Sequence, residues 1–310
     1  MNACTDVQLC AIVDPIIARY ATEPVDLLKI GDANREYRYL IGQRDGYVRT
    51  IQDILAHFGD GDHRSIKVLE IGAFLGVVSI ALSQIGFQVT VTDIEEYIAC
   101  ANLRRRFDDC HIKYAASNLR DYSLPFRDEE FDAVIMCETI EHLNFNPLPV
   151  IQEINRVTKQ NGLLYLTCPN LASAANRTQL LQGKSIHSPI DAFFAQLDPD
   201  RNMIVGLHWR EYTADEIREM LQKLGFGRVV QKYDVPVQLR NRREYMIRKF
   251  VHAVINLPFL RGVIYASLFD PDDLSLNDRQ IALAVKTNIS KQHFYFTDAT
   301  LPDPETKQIG

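Results

Sequence analysis

The sequence predicts an α/β chain organised as a doubly wound, Rossmann-like sheet, and three observations carry that expectation. The β-branched run Ile66–Ile71 ends in a glycine turn, and Val77–Ile85 follows with helical spacing, which is the first crossover of a βαβ unit. Apolar runs of strand length then alternate with amphipathic stretches as far as Cys168. An acid, Asp93, closes the second run, at the carboxyl end of a strand, where open α/β sheets bind their ligands.

In order, strand Ile66–Ile71 leads to helix Val77–Ile85, strand Gln88–Thr92 and helix Ile94–Arg106. Strands near His111–Ala115 and over Ala133–Cys137 follow, then a helix near Leu148–Val157 and strand Leu163–Cys168. Gln160-Asn161-Gly162 reads as a turn between those last two. Thr213 and Glu216 have capping-box spacing and open a helix to Leu224 that stops at Gly225. Val229–Tyr233 and Ile281–Lys286 are the last strands. The polar stretches 169–207 and 236–278 read as insertions in a domain of 66–287, and 288–310, with Pro302 and Pro304, as a loosely held tail. Residues 1–65 form a helical cap: Val7–Ala18 is broken at Pro15, and Tyr47–Phe58 ends at a Gly-Asp-Gly-Asp breaker. Tyr20, Tyr37, Tyr39 and Tyr47 in this cap either pack on the main domain or form a lid.

With 310 residues, 46% of them hydrophobic and 24% charged, the chain can bury a substantial core. A net charge of −6 gives no global electrostatic case for nucleic acid. Six cysteines without a Cys-x-x-Cys pair suggest reduced thiols and a cytoplasmic protein, and no signal-peptide pattern opens the chain. No apolar run reaches the roughly 20 residues of a spanning helix. The turn after the first strand lacks a dinucleotide fingerprint: of Gly72, Phe74 and Val77, which would be its three glycines, two fail. That argues against a nicotinamide-dependent oxidoreductase.

What remains, Glu70-x-Gly72-x-x-x-Gly76 with Asp93 in step, resembles the opening motif of class I S-adenosylmethionine-dependent methyltransferases, departing from it at Phe74. Leu124-Pro125-Phe126, the block Phe131–Leu143, Tyr165–Asn170 and His208–Thr213 resemble the ubiquinone-biosynthesis-like branch in order. The resemblance covers 66–233 and 279–287. It implies a seven-stranded, mostly parallel sheet with an antiparallel last strand, N-terminal helices over the pocket, and adenosylmethionine as cofactor. It further implies that Glu70, Gly72, Gly76 and Cys137 line the cofactor site. Asp93 then accepts both ribose hydroxyls, although a carboxylate there also suits a helix N-cap. Asn118 pairs with the adenine, and Ile94 and Leu119 sandwich its ring.

Glu138, Glu141 and His142 stand at i, i+3 and i+4, so a short helix after the fourth strand would place them on one face. Such a group can orient a substrate, relay a proton, or bind a metal together with a distant histidine such as His208. Substrate and proton handling is the expectation, with His142 as base and no metal. By the resemblance, the acceptor is expected to be a small molecule, glycan or lipid-linked compound methylated at oxygen, with nitrogen and carbon open. The alternatives are a non-catalytic methyltransferase-like binding protein and a metal-assisted RNA 2′-O-methyltransferase. Arg240–Arg261 reads as a basic amphipathic helix: a lid, a contact with an anionic membrane or lipid-linked substrate, or a nucleic-acid contact.

Overall fold

The computed structural model describes residues 6–25, 33–194, 206–234 and 279–287. The basic stretch 240–261 and the tail from Asn288 lie outside these described residues. Three helices open the chain: α1 (Asp6–Thr22), α2 (Ala33–Gly42) and α3 (Arg44–Phe58). The alternating core follows as β1 (Lys67–Ile71), α4 (Val77–Ile85), β2 (Gln88–Asp93), α5 (Glu95–Ile98), α6 (Ala101–Asp109) and β3 (Lys113–Ala116). Next come β4 (Phe131–Cys137), α7 (Leu148–Val157), β5 (Thr158–Pro169), α8 (Ala174–Leu181) and α9 (Ile190–Phe194). Finally α10 (Ala214–Lys223) leads to β6 (Phe226–Asp234) and β7 (Arg279–Lys286).

The strands form one seven-stranded sheet in the order β3-β2-β1-β4-β5-β7-β6. Neighbours from β3 to β5 pair in parallel, and β7 runs antiparallel to both β5 and β6. The expected Rossmann-like sheet with an antiparallel last strand is therefore the observed one. Side chains alternate between two cores. Val68, Ala133, Ile135 and Tyr165 face the side packed with α1, α3 and α4. Leu69, Ile71, Val134 and Leu166 face the side packed with α7 and α10. With both faces covered, β1 is buried over Val68–Ile71 and reads as a continuous apolar run broken only by Glu70. The chain order reverses between β1 and β4, so a crevice opens beyond their carboxyl ends.

Several elements depart from expectation for local reasons. Helix α1 runs unbroken through Pro15. Pro15 and Ala11, whose carbonyl loses a partner, are both exposed, so water can serve that carbonyl. On the opposite face Leu9, Val13, Ile16, Ile17 and Tyr20 are buried and hold the helix against α3 and α4. The single helix expected over Ile94–Arg106 is two, α5 and α6, separated at extended Cys100. His111 is left-handed and closes α6, so β3 starts at Lys113. Gln160-Asn161-Gly162 is a bulge inside β5 rather than a turn before it: pairing steps from Phe131–Thr158 to Ala133–Leu163 around left-handed Asn161. The stretch 169–207 contains α8 and α9. The Thr213–Glu216 capping box forms as expected.

Gly76 shows how tightly the first turn is packed. Its φ is +72°, and a Cβ there would be driven into the buried ring of Phe107 on α6. Gly76→Ala is expected to cost about 2–4 kcal/mol, from the left-handed backbone plus overpacking. Urea unfolding measures it as a lower midpoint at unchanged slope.

Candidate active site

The wall of the crevice begins where β1 ends. The Gly72 amide donates to the Thr92 carbonyl at 2.9 Å, turning the chain sharply back onto β2. Phe74, in the place of a middle glycine, is left-handed at φ +51°. Its amide donates to Asp93 Oδ2 at 2.7 Å, and its ring meets Tyr39 of α2 and Tyr97 of α5 edge-on. Those contacts offset a backbone cost of about 1–2 kcal/mol. Gly72 and Gly76 are required by the turn's own packing: a Cβ at Gly72 would strike Thr139, as one at Gly76 would strike Phe107.

Asp93 Oδ1 accepts from the Ile94 amide at 2.8 Å, so each carboxylate oxygen takes one backbone N–H. Burial nevertheless raises the Asp93 pKa to about 6. The N-cap of α5 is Ile94, not Asp93, and it has no side-chain cap. Glu70 is buried, accepts from the Ser79 hydroxyl on α4, and is pushed up to about 7 by burial. Beyond β3, Asn118 is exposed and its Oδ1 caps the 3₁₀ turn Leu119–Asp121 through the Arg120 amide at 3.0 Å. Cys137 lies 3.8 Å from the Thr50 hydroxyl, and burial raises its thiol to about 12, so it is neutral.

The three polar residues after β4 do not share one face. Glu138 precedes the 3₁₀ turn Ile140–His142 and is left-handed at φ +46°. Its Oε1 accepts from Thr167 Oγ1 at 2.8 Å and Arg279 Nε at 3.0 Å, which turns it towards β5 and β7. Glu141 is fully buried, and neither of its carboxylate oxygens has a hydrogen-bond partner. Burial, then repulsion from Glu138, holds its pKa well above the usual range. His142 Nδ1 lies 2.9 Å from the Leu207 carbonyl, and Nε2 lies 3.8 Å from Glu141 Oε1. Burial lowers the His142 pKa, leaving the ring neutral near pH 7. The Trp209 amide donates to the Glu141 carbonyl at 2.8 Å and fixes the 206–209 segment over this turn.

All eleven residues expected at the site line one cleft of about 1310 Å³: Glu70, Gly72, Gly76, Asp93, Ile94, Asn118, Leu119, Cys137, Glu138, Glu141 and His142. Tyr39, Tyr47, Thr139, Leu207 and Arg279 share its wall and were not singled out as site residues. The sequence alone leaves Tyr39 and Tyr47 between packing and lid. Arg279 opens an apolar strand, with no motif around it to mark it.

Comparison with known proteins agrees with this geometry. Residues 69–166 match the methyltransferase domain family. The ubiquinone biosynthesis O-methyltransferase of Xanthomonas campestris is 30% identical over 110 residues, 35% of this chain and 45% of that protein. The mitochondrial enzyme of that name from Rattus norvegicus is 33% identical over 119 residues, 37% of this chain and 32% of that protein. The chain thus spans less than half the length of either relative. A solved S-adenosylmethionine-dependent methyltransferase from Thermotoga maritima aligns at 15% identity and a TM-score of 0.49, covering 89% of this chain and all of that one. From β1 to β5 the chain is similar to methyltransferase domains. Within that class the sequence resembles the ubiquinone-biosynthesis branch, as its motifs implied.

The Arg279–Glu138 pair, largely buried on both sides, ties β7 to the crevice. Arg279→Ala strands a carboxylate and is expected to cost about 2–4 kcal/mol. In chemical denaturation, the double variant with Glu138→Gln should regain part of that loss.

Proposed function

We propose that this protein transfers a methyl group from S-adenosylmethionine to an oxygen of a small-molecule acceptor. The observation that carries the reading is one cleft joining the Asp93 wall to the Glu141–His142–His208 end. The residues fit the cofactor. Each Asp93 oxygen takes one backbone amide and keeps a further lone pair for another donor. A ribose diol supplies two. Ile94 and Leu119 offer apolar faces to the adenine ring, and Asn118, beside them, keeps its side-chain nitrogen and a second oxygen lone pair for the ring's edge. Adenosylmethionine, when bound, supplies a methyl group activated by the positive charge of its sulfonium. The chain's part is to align the acceptor, exclude water and receive the hydroxyl proton.

The acceptor's end of the cleft is assigned to the Glu141–His142–His208 group, because His142 Nε2 faces it with the ring held by Leu207. The acceptor class follows the relatives: small-molecule, glycan or lipid-linked compounds, with the ubiquinone-type proteins as the guide to oxygen. Net charge argues against nucleic acid. Among the described residues no helix is long and apolar enough to cross a membrane. The cysteines described are free, which suits a reducing, cytoplasmic compartment. A peripheral membrane contact through 240–261 completes the proposal for partners.

Two measurements test this reading. Below pH about 6 Asp93 takes up a proton and loses acceptor capacity, so affinity for adenosylhomocysteine should fall, by at most tenfold per pH unit. Asp93→Ala should weaken binding at pH 7.5 by roughly 10–100-fold and remove that pH dependence. Calorimetry showing no binding in the intact chain would overturn the methyltransferase reading. His142→Ala should lower turnover by about 10²–10⁴-fold while leaving adenosylhomocysteine affinity within about twofold, as single-turnover assays and calorimetry would show.

A further inference from the structure

Phe74 holds a backbone conformation that its own side chain makes costly, and the reason lies in the ring. A glycine would adopt φ +51° without strain, and the bond to Asp93 uses only the backbone amide, which any residue but proline supplies. What phenylalanine adds is a pair of nearly right-angled ring contacts, to Tyr39 of α2 at 5.7 Å and to Tyr97 of α5 at 5.3 Å between centroids. Tyr97 is buried, Phe74 is half-buried and Tyr39 is 41% exposed. All three line the cleft, so the series rises from a buried base to a ring with open surface.

Tyr39 stands where the two ends of the cleft meet. On one side it touches Phe74, whose amide is bonded to Asp93. On the other, desolvation in the cleft and then the Glu138 and Glu141 carboxylates hold its hydroxyl pKa above the ordinary range, so the phenol stays neutral. Glu141 in turn lies 3.8 Å from Nε2 of His142. Glu36 acts on Tyr39 in the same sense, and Arg279, which acts against it, is already paired with Glu138. Asp93 and Glu36 likewise act on Tyr97. Among the described residues Tyr39 makes one ring contact, so at least one face of its ring is uncovered by another ring. An aromatic face set among carboxylates attracts a cation. With the ribose at Asp93, the sulfonium of adenosylmethionine is one carbon further on, and its methyl must point at the acceptor oxygen for in-line attack. The donor's charge therefore falls between Asp93 and His142, the interval that Tyr39 spans.

We propose that Tyr39 makes this site prefer the charged methyl donor over the neutral product, by laying its ring face against the sulfonium, and that Phe74 is the positioning residue that holds Tyr39 there. The proposal rests on the reading of the cleft as a methyltransferase site and deepens it. On transfer the bond from methyl carbon to sulfur breaks and its electron pair stays on sulfur. The carbon bonds to the acceptor oxygen, whose proton passes to His142. The sulfonium becomes a thioether and loses its attraction to the ring, while contacts to the ribose and adenine are the same in donor and product. Product therefore leaves a site that fresh donor binds more tightly. A glycine in place of Phe74 would satisfy the turn and leave Tyr39 unsupported, which accounts for an aromatic residue at a left-handed position.

The test is calorimetry on the full chain with three ligands: adenosylmethionine, adenosylhomocysteine, and an analogue carrying a primary ammonium in place of the methyl sulfonium. Tyr39→Leu should weaken both cationic ligands by roughly 3–30-fold. Adenosylhomocysteine affinity should stay within about twofold, which also shows that the variant folds. Tyr39→Phe keeps a π-face and should keep the preference for the cationic ligands. Phe74→Gly suits the backbone but removes the ring beneath Tyr39, and should shift the preference in the same direction as Tyr39→Leu. An unchanged ratio of donor to product affinity in Tyr39→Leu, or in Phe74→Gly, overturns the proposal, and with adenosylhomocysteine still bound it leaves the methyltransferase reading standing. An intact chain that binds none of the three ligands defeats that reading and this proposal with it.

Discussion

The crevice depends on one carboxylate held between two strand ends. Asp93 finishes β2, and its oxygens accept the amides of Phe74 on the turn after β1 and of Ile94 at the start of α5. Those bonds fix the turn's left-handed backbone and the direction of the helix beyond β2 together. Without them Phe74 would have little reason to stay in a conformation costly for any side chain but glycine. Burial raises the Asp93 pKa to about 6 even though both of its oxygens accept backbone amides.

At the other end of the cleft the fold solves the opposite problem. Left-handed Glu138, on the cleft wall, is turned towards β5 and β7 by Arg279 of the last strand in the chain. Glu141, three residues on, is driven in without a partner. Two carboxylates close in sequence thus meet opposite fates, set by where β7 lies in the sheet rather than by local propensity. Thr167 of β5 bonds both members of the Arg279–Glu138 pair, so the separation is built into strand pairing.

This division also marks what the sequence could reveal. The β1 turn, Asp93 and the strand alternation were legible because each depends on neighbours in sequence: apolar period, glycine position, an acid at a strand end. The three-residue face of Glu138, Glu141 and His142 was misplaced because spacing assumes a regular helix. The chain instead makes a left-handed residue and a 3₁₀ turn, fixed by partners on β5, β7 and the 207–210 segment. Arg279 carried no signal for the same reason: its role comes from strand order, which pairs residues far apart in the chain. Pro15 misled in the other direction, since a local breaker lost to a long buried face. The helix α2, with Tyr39 against Phe74, was missed because its apolar positions are few and its purpose is to cover a cleft.

The phenolic hydroxyl of Tyr20, on α1, donates to the carbonyl of Leu75 inside the β1 turn, and the guanidinium of Arg106 lies over the same ring at 3.8 Å. The first helix is therefore a strut against the back of the β1 turn. Its residues belong to the same core as β1 and α4. A chain trimmed to begin at β1 would retain every strand and motif of the fold, yet leave that loop unbraced on one side. In engineering terms, the unit that can be moved between proteins includes the opening helices, even though the recognisable domain starts some sixty residues later.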